Sequence, residues 1–244
     1  MNAEVHTEFD NDEFSKAYPD GIQNDFWNTA RNKVIHHYLN KYKLDNILDV
    51  GCGRGIVTGY LQQRGKHIMG VELGVTRPIT SGLTIHYNTD AVTLPLATRE
   101  GIRTIMLLDV IEHIEQPVDF MKHLLQAFPK LTHVLITVPA RTELWSNYDD
   151  YYGHFRRYDL EMMQQTIASL NMEVLTNTYF FHSLYPMFML NNKVKKERNT
   201  TLQPPKGALA KAIHGLIGWG LYQEAMLLPK GTAGTSVLCV ARVR

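Results

Sequence analysis

The sequence predicts an α/β fold, with a doubly wound, seven-stranded and mostly parallel sheet and a helical insert before the last strand. Three observations support this prediction. Short apolar runs alternate along the chain with segments of helical periodicity, the order typical of strand–helix–strand units. Within the run at 103–109, residues 105–108 are all apolar, as in strands buried on both faces. The run at 46–50 ends in a glycine turn that leads directly into a helix.

The first half of the chain supplies four of the strands. One crossover, 74–82, contains Pro78 and Gly82 and is too short for a full helix, so we expect a loop there. The predicted elements are a helix at 24–43, a strand at 46–50, a helix at 55–64, a strand at 67–73, a strand at 83–88 and a strand at 103–109.

The second half completes the sheet. Pro117 at a first turn and Asp159 as an N-cap mark the starts of two helices. We therefore expect residues 1–182 and 234–244 to form one domain, with 183–233 as an insert or lid lobe that holds a helix at 207–228. The predicted elements are a helix at 117–128, a strand at 133–138, a helix at 159–170, a strand at 172–181 and a strand at 235–243.

Composition excludes several classes of protein. The 244 residues carry a formal net charge of +1, so no nucleic-acid partner is expected. The short basic cluster of Lys193, Lys195, Lys196 and Arg198 is typical of a solvated helix end. Two cysteines provide neither a disulfide framework nor a metal cluster, which fits a reducing, cytoplasmic location. We predict no signal peptide and no membrane-spanning segment.

The segment from Asp49 to Gly55 closes a strand and opens a helix. Glycines suit a tight turn that a ligand approaches closely. Glu72 ends the next strand, at the position expected for an acceptor of ribose hydroxyl groups. A dinucleotide fingerprint would need a small residue where Ile56 stands, so an NAD-type oxidoreductase is kept only as the alternative.

Gly51, Gly53 and Gly55, preceded by Asp49, resemble the first motif of class I S-adenosylmethionine-dependent methyltransferases. The acidic Asp49 suits the cationic end of that cofactor. The resemblance covers about residues 46–140 and extends to members whose substrate is unassigned. It implies a cofactor site in which Asp90 binds the exocyclic amine of adenine and Ala91 and Leu73 pack on the base. The remaining cofactor residues that it implies are Cys52, Glu72, Asp109 and Val110.

The acceptor side is predicted from residues that follow the fourth and fifth strands. Transfer to oxygen needs a proton acceptor, and the candidates are His113 and His154. Arg156, Arg157 and Tyr158 form either a clamp for an acidic substrate group or a turn that ties the loop to the sheet. Asp90 likewise has a second interpretation, as a helix cap. No metal site is predicted.

We therefore predict a methyltransferase acting on a hydroxyl group or other heteroatom of a small or lipid-linked metabolite. The aromatic and apolar run at 179–190 is expected to pack in the core, or else to line an acceptor pocket or contact a membrane surface peripherally. A catalytically inactive module that binds S-adenosylmethionine is the second alternative.

Overall fold

A computed structural model describes the chain over residues 18–194 and 203–244. The helices of five or more residues are α1 (Phe26–Lys41), α2 (Ile56–Gln62), α3 (Leu96–Gly101), α4 (Pro117–Ala127), α5 (Asn147–Tyr151), α6 (Leu160–Ala168), α7 (Leu184–Val194) and α8 (Gly207–Leu227). The strands are β1 (Ile47–Val50), β2 (Ile68–Val71), β3 (Ile85–His86), β4 (Thr104–Leu108), β5 (His133–Pro139), β6 (Met172–Phe180) and β7 (Ser236–Val243).

The strands form one sheet in the order β3-β2-β1-β4-β5-β7-β6. All neighbours pair in parallel except β7, which runs antiparallel to both β5 and β6. The strand order reverses between β1 and β4, so the carboxyl ends of these two strands flank the crevice where open α/β sheets bind ligands. The predicted fold class, a seven-stranded and mostly parallel sheet, is confirmed.

Two hydrophobic clusters cover the two faces of the sheet. The first packs α4 and α6 against the strands through side chains such as Met121 and Met163. The second packs α1, α2 and the end of α8 on the opposite face, through Ile35, Leu61 and Leu221. Each strand of the sheet centre therefore contributes alternate side chains to separate layers, which explains why the run at 103–109 is apolar on both faces.

The predicted elements lie within a few residues of the observed ones, with three helices added. The loop expected at 74–82 contains no helix. The short α3 and α5 were not predicted, since α3 buries none of its residues and gives no periodic pattern. The helix α7 was also missed, because residues 184–190 form an apolar run without helical periodicity. Pro186 lies in its first turn, where proline is tolerated.

Within the predicted insert at 183–233, the two helices α7 and α8 both contact the rest of the described chain. In α7, the side chain of Tyr185 donates a hydrogen bond to Glu143 at 3.0 Å. In α8, Leu221 is buried in the cluster that contains α1. Within the described part of the chain, no helix is long and apolar enough to cross a membrane. The side chains of the basic cluster that begins at Lys193 lie outside the described residues.

Candidate functional site

The predicted cofactor residues converge at the carboxyl ends of three adjacent strands. Asp49 is the last residue but one of β1 and lies level with Gly70 of β2 and Met106 of β4. Glu72 and Asp109 each follow their own strand directly. The sheet therefore brings three acidic side chains that are distant in sequence to one edge, at the reversal of strand order.

The glycine turn after β1 is required by both its backbone and its neighbours. Gly51 and Gly55 adopt positive φ angles of 71° and 76°. A methyl group added at Gly51 would lie 2.9 Å from Cγ2 of Val110, and one added at Gly55 would lie 2.5 Å from Cδ1 of Ile85. Any larger residue would push the turn away from the sheet edge, so glycine keeps the backbone within reach of a ligand.

Asp49 is a buried carboxyl group, and one of its two oxygens accepts no hydrogen bond from the described residues. Its Oδ2 accepts a hydrogen bond of 2.7 Å from the hydroxyl group of Thr58. Its Oδ1 is buried and accepts no hydrogen bond from any described residue. Burial raises the pKa of Asp49 to about 6, although the bond from Thr58 and the charge of Arg31 oppose this shift. A cationic ligand group would satisfy the free oxygen and favour the ionised form.

Glu72 has a structural role in addition to the predicted one. Its Oε2 accepts a hydrogen bond of 2.8 Å from the N–H of Gly53, and its Oε1 accepts one of 3.0 Å from the N–H of Gly74. An ionised carboxylate offers about four lone-pair directions, so both oxygens keep capacity for ribose hydroxyl groups. Glu72 therefore fixes the shape of the glycine loop and can also bind a ligand.

Cys52, Leu73, Asp90 and Ala91 lie around this crevice. Burial raises the pKa of the Cys52 thiol well above its usual value, which disfavours the reactive thiolate. Leu73 is 36% exposed, whereas Ala91 is buried. Asp90 accepts a hydrogen bond of 3.1 Å from the N–H of Val92 and caps a short 3-10 turn. The capping interpretation of Asp90 is thus confirmed, and its contact with adenine stays a prediction.

Tyr18 and Arg54 place the segment before α1 over the glycine loop. A methyl group added at Gly53 would lie 3.4 Å from the ring of Tyr18. The buried Arg54 donates hydrogen bonds to the carbonyl oxygen of Tyr18 at 2.6 Å and to the carboxylate of Asp20 at 2.7 Å. Arg54 thus ties residues 18–20 to the loop, and Tyr18 becomes a wall of the crevice that the sequence did not indicate.

Asp109 is held by Arg31 of α1. The guanidinium group donates a hydrogen bond to Oδ2 of Asp109 and forms an ion pair with this carboxylate. The hydroxyl group of Thr137 donates a hydrogen bond of 3.2 Å to Oδ1 of Asp109. Asp109 has a φ of 57°, in the left-handed region that costs free energy for a residue other than glycine. The next residue, Val110, packs on Gly51. The strained backbone therefore lies where Asp109 bonds to α1 and Val110 packs on the glycine turn.

Three ionisable side chains cluster beyond Asp109, where the acceptor is expected. The ligand atoms of Glu112, His113 and His154 all lie within 4.8 Å of one another. The rings of His113 and His154 meet edge to face, with their centroids 4.7 Å apart. Glu112 is fully buried, and burial raises its pKa well above the usual value, with the charge of Asp109 adding to the shift. Burial and the neighbouring His154 lower the pKa of His113 to about 4.

Asp149 of α5 organises the second half of this cluster. Its Oδ1 lies 2.8 Å from Nδ1 of His154, and Arg157 donates to both of its oxygens at 2.7 and 3.0 Å. Although burial raises the pKa of Asp149, the hydrogen bonds from His154 and Arg157 hold it at about 2. An ionised Asp149 has no proton to give, so Nδ1 of His154 must be the donor. A neutral His154 then carries its lone pair on Nε2.

The three residues of the predicted substrate clamp lie in different surroundings. Arg157 is buried, and its Nη1 also donates to the carbonyl oxygen of Ala140 at 3.0 Å. Tyr158 is buried as well and directs its hydroxyl group to the carbonyl oxygen of Ile111. Arg157 and Tyr158 therefore tie the loop to the sheet, which was the alternative to a substrate clamp. Arg156 lies closer to solvent and donates to the carbonyl oxygen of Glu115 at 2.8 Å.

The side chains of Glu112, His113 and His154 are close enough together to hold a metal ion. Imidazole nitrogens and a carboxylate are ligands that Zn²⁺ and related ions accept. The sequence predicted no metal, and that stays a prediction for metal titration to test. The sequence did not indicate Tyr18, Arg54 or Asp149, because each acts through a contact that only the fold creates.

Comparison with known proteins identifies the family. A methyltransferase domain family matches residues 21–177, which is more than half of the chain. The ubiquinone biosynthesis O-methyltransferase of Hahella chejuensis is 26% identical over 111 residues, covering 38% of this chain and 47% of that protein. Its counterpart in Xylella fastidiosa is 30% identical over 123 residues, covering 41% and 50%. The chain spans about half the length of the curated relatives it matches.

Solved structures share the fold at low identity. A SAM-dependent methyltransferase from Archaeoglobus fulgidus superimposes with a TM-score of 0.53 at 18% identity, covering 89% of this chain and 98% of that one. Magnesium protoporphyrin IX methyltransferase from Synechocystis, solved with bound SAH, gives a TM-score of 0.54 at 13% identity, covering 96% and 93%. Together with the family match, these likenesses confirm the predicted class and its cofactor, S-adenosylmethionine, over the NAD alternative.

Proposed function

The chain belongs to the methyltransferase domain family, and from that premise we propose that it transfers the methyl group of S-adenosylmethionine to a hydroxyl group of a small or lipid-linked metabolite. The cofactor supplies a methyl carbon activated by a sulfonium. The chain must then hold that cofactor, place an acceptor in line with the carbon, and take up the acceptor's proton.

The cofactor half of the proposal rests on the crevice at the end of β1. Asp49 offers a buried, unsatisfied carboxylate oxygen to the cationic end of the cofactor. The glycine turn keeps the backbone close, Glu72 accepts from the ribose, and Tyr18 closes the crevice from above. Asp109 and Val110 line the side that faces the acceptor.

The acceptor half rests on one observation, the buried cluster of Glu112, His113 and His154 beside Asp109. Because Asp149 holds Nδ1 of His154, the lone pair on Nε2 is directed away from Asp149. We assign His154 as the proton acceptor for the substrate hydroxyl group. His113, which packs edge to face on that ring, shapes the same pocket. We assign Arg156 to bind an acidic group of the substrate. Arg157 and Tyr158 are positioning residues that hold the loop of His154 on the sheet.

The similarity to curated relatives supports an oxygen acceptor. Those proteins are named for O-methylation in ubiquinone biosynthesis, at 23% to 30% identity in the two best-covered cases. That similarity covers under half of this chain, so it supports the type of acceptor atom and leaves the acceptor itself to experiment.

Methyl transfer from labelled S-adenosylmethionine to a panel of phenols, alcohols, amines and thiols tests the proposal. We expect transfer to hydroxyl compounds. The variant His154→Gln is expected to lower kcat by about 10²–10⁴-fold, the usual contribution of a general base. Its binding of S-adenosylhomocysteine should be unchanged, because His154 lies on the acceptor side.

The matched control is His133→Gln. His133 is the first residue of β5 and lies at the amino end of that strand. Equal turnover of wild type and the His154 variant would contradict the role of His154. Cofactor binding with no transfer to any acceptor would favour the inactive binding module instead.

A further inference from the structure

Helix α8 exposes a large apolar surface. Among its described large apolar side chains, the most exposed are Leu209 (76%), Leu216 (69%) and Leu227 (79%). Ile213, Ile217 and Trp219 are each about half exposed. Apolar residues on monomeric proteins are normally scattered singly, and a continuous face of this kind marks a binding surface.

Among residues 18–194 and 203–244, the contacts of α8 lie on one side of the helix. The N–H of Phe26 donates to Nδ1 of His214 at 3.2 Å, and Gly218 is so close to the carbonyl oxygen of Phe26 that an added methyl group would lie 2.9 Å from it. Leu221 completes this packed side. On a helix, Leu209, Leu216 and Leu227 lie opposite Gly218, so they form the outward face.

The contacts also fix where α8 lies relative to the site. His214 contacts Phe26 at the start of α1, and Tyr222 faces the ring of His37 farther along that helix. The two helices therefore run parallel, and the first turns of α8 extend past the start of α1. Because Arg31 in the second turn of α1 reaches Asp109, the exposed start of α8 lies toward the crevice edge of the sheet.

A basic groove lies beside α8. It has a volume of about 490 Å³ and runs along α1, bordered by Tyr222 of α8. The described residues that line it include Lys33, Lys41, His36 and His37, and none of them is acidic. Burial lowers the pKa of both histidines, so the two lysines supply its charge at neutral pH. An anionic group adjacent to the apolar face would complement this groove.

An apolar face, a tryptophan and a flanking basic groove together match the surface of a bilayer that contains anionic lipids. Tryptophan is favoured at the membrane interface, and lysines near that surface attract anionic headgroups. A second copy of the chain would bring an identical basic groove and would not neutralise it. The outward face of α8 also lacks acidic side chains, since its Glu224 accepts from the N–H of Ser183.

We propose that α8 attaches this protein peripherally to anionic membranes, with its outward leucines in the interface and the groove of Lys33 and Lys41 against the headgroups. The inference goes beyond the proposed function and does not depend on the identity of the acceptor.

Sedimentation with vesicles of phosphatidylcholine, with and without phosphatidylglycerol, tests the inference. We expect the full chain to sediment with vesicles that contain phosphatidylglycerol, and to be released by salt. The double variant Leu209→Gln, Leu216→Gln is expected to partition at least about tenfold more weakly, because leucine burial in the interface is lost and glutamine keeps helix propensity. Its matched control is Leu96→Gln, a leucine of α3 that is 55% exposed.

The double variant Lys33→Gln, Lys41→Gln should lose the preference for phosphatidylglycerol, whereas Lys122→Gln on α4 should keep it. Affinity for S-adenosylhomocysteine should be the same in all variants, which shows that each is folded. No vesicle binding by wild type, or undiminished binding by the leucine variant, would overturn the inference and leave the proposed function standing. A dimer in light scattering that the leucine substitutions dissociate, without vesicle binding, would assign α8 to self-association.

Discussion

Replacing Asp49 by asparagine should make the protein more stable at neutral pH and poorer at binding its cofactor. Burial raises the pKa of Asp49 from 3.8 to about 6. A shift of about 2 pKa units corresponds to roughly 3 kcal/mol of unfolding free energy that the ionised group removes. Asp49→Asn removes this charge while its side-chain carbonyl can still accept from Thr58.

The sign of the effect depends on pH. The folded protein binds the proton of Asp49 more tightly than the unfolded chain does, so the wild type loses stability as pH rises from about 4 through about 6. By the same linkage, about 1.4 kcal/mol of that loss falls between about pH 5 and about pH 7.5. The amide of the variant leaves an unpaired N–H group that costs about 2 kcal/mol at every pH. The variant should therefore be about 1 kcal/mol more stable than wild type at about pH 7.5 and slightly less stable at about pH 5.

Cofactor binding should change in the opposite direction. Without a carboxylate to face the cationic amino group, affinity for S-adenosylhomocysteine should fall at least about tenfold, or about 1.4 kcal/mol. Wild-type affinity should itself rise with pH through about 6, as Asp49 ionises, and the variant should lack this step.

Urea denaturation and titration calorimetry at both pH values measure the two effects. The control is Asp119→Asn, whose carboxyl group on α4 is 65% exposed and should change neither quantity. A stability difference that does not vary with pH would contradict the raised pKa of Asp49. Affinity of the variant for the cofactor within about threefold of wild type would contradict its contact with the cationic amino group.

The other predictions concern Glu72, Arg157 and the ionisable cluster. Glu72→Ala should weaken binding of S-adenosylhomocysteine at least about tenfold by calorimetry and lower the melting temperature, because Gly53 and Gly74 lose their acceptor; unchanged affinity would remove the ribose assignment. Arg157→Ala should cost about 3–5 kcal/mol of unfolding free energy in urea, because Asp149 stays buried and charged, and a loss under 1 kcal/mol, roughly that of a surface pair, would contradict this role. Methyl transfer should be unaffected by a chelator, as the sequence predicts no metal, and activity restored only by added Zn²⁺ would show that Glu112, His113 and His154 bind one.

The parts of the molecule that depend on local sequence were predictable. The glycine turn from Gly51 to Gly55 and the acidic residue after β2 follow fixed spacings, because a turn and one crossover unit constrain them. The loop at 74–82 was predictable from Pro78 and Gly82. The carboxyl ends of adjacent parallel strands must share an edge, so Asp49, Glu72 and Asp109 could be placed together before the structure was known.

The remaining site residues depend on contacts between distant segments. Arg31 reaches Asp109 across 78 positions, and Arg54 reaches Tyr18 across 36. No periodicity or spacing signals such pairs. Arg157 illustrates the difficulty, since an arginine in an aromatic run fits a substrate clamp or a structural tie equally well. The structure shows that the charge of Arg157 is paired with the carboxylate of Asp149 on α5.

The apolar character of α8 was visible in the sequence, but its exposure was not. The run 207–228 has the length and hydropathy of a buried helix, and periodicity alone does not separate a core helix from one that lies on a surface. The structure shows that α8 lies on the surface, because Gly218 and Leu221 are its only buried residues over its described length.

The assignment of S-adenosylmethionine as the cofactor can be tested by titration calorimetry of the full chain with S-adenosylhomocysteine and, separately, with NAD. From this assignment we expect stoichiometric binding of S-adenosylhomocysteine, weakened by Asp49→Asn, and no measurable heat with NAD. Binding of NAD together with no binding of S-adenosylhomocysteine would contradict it.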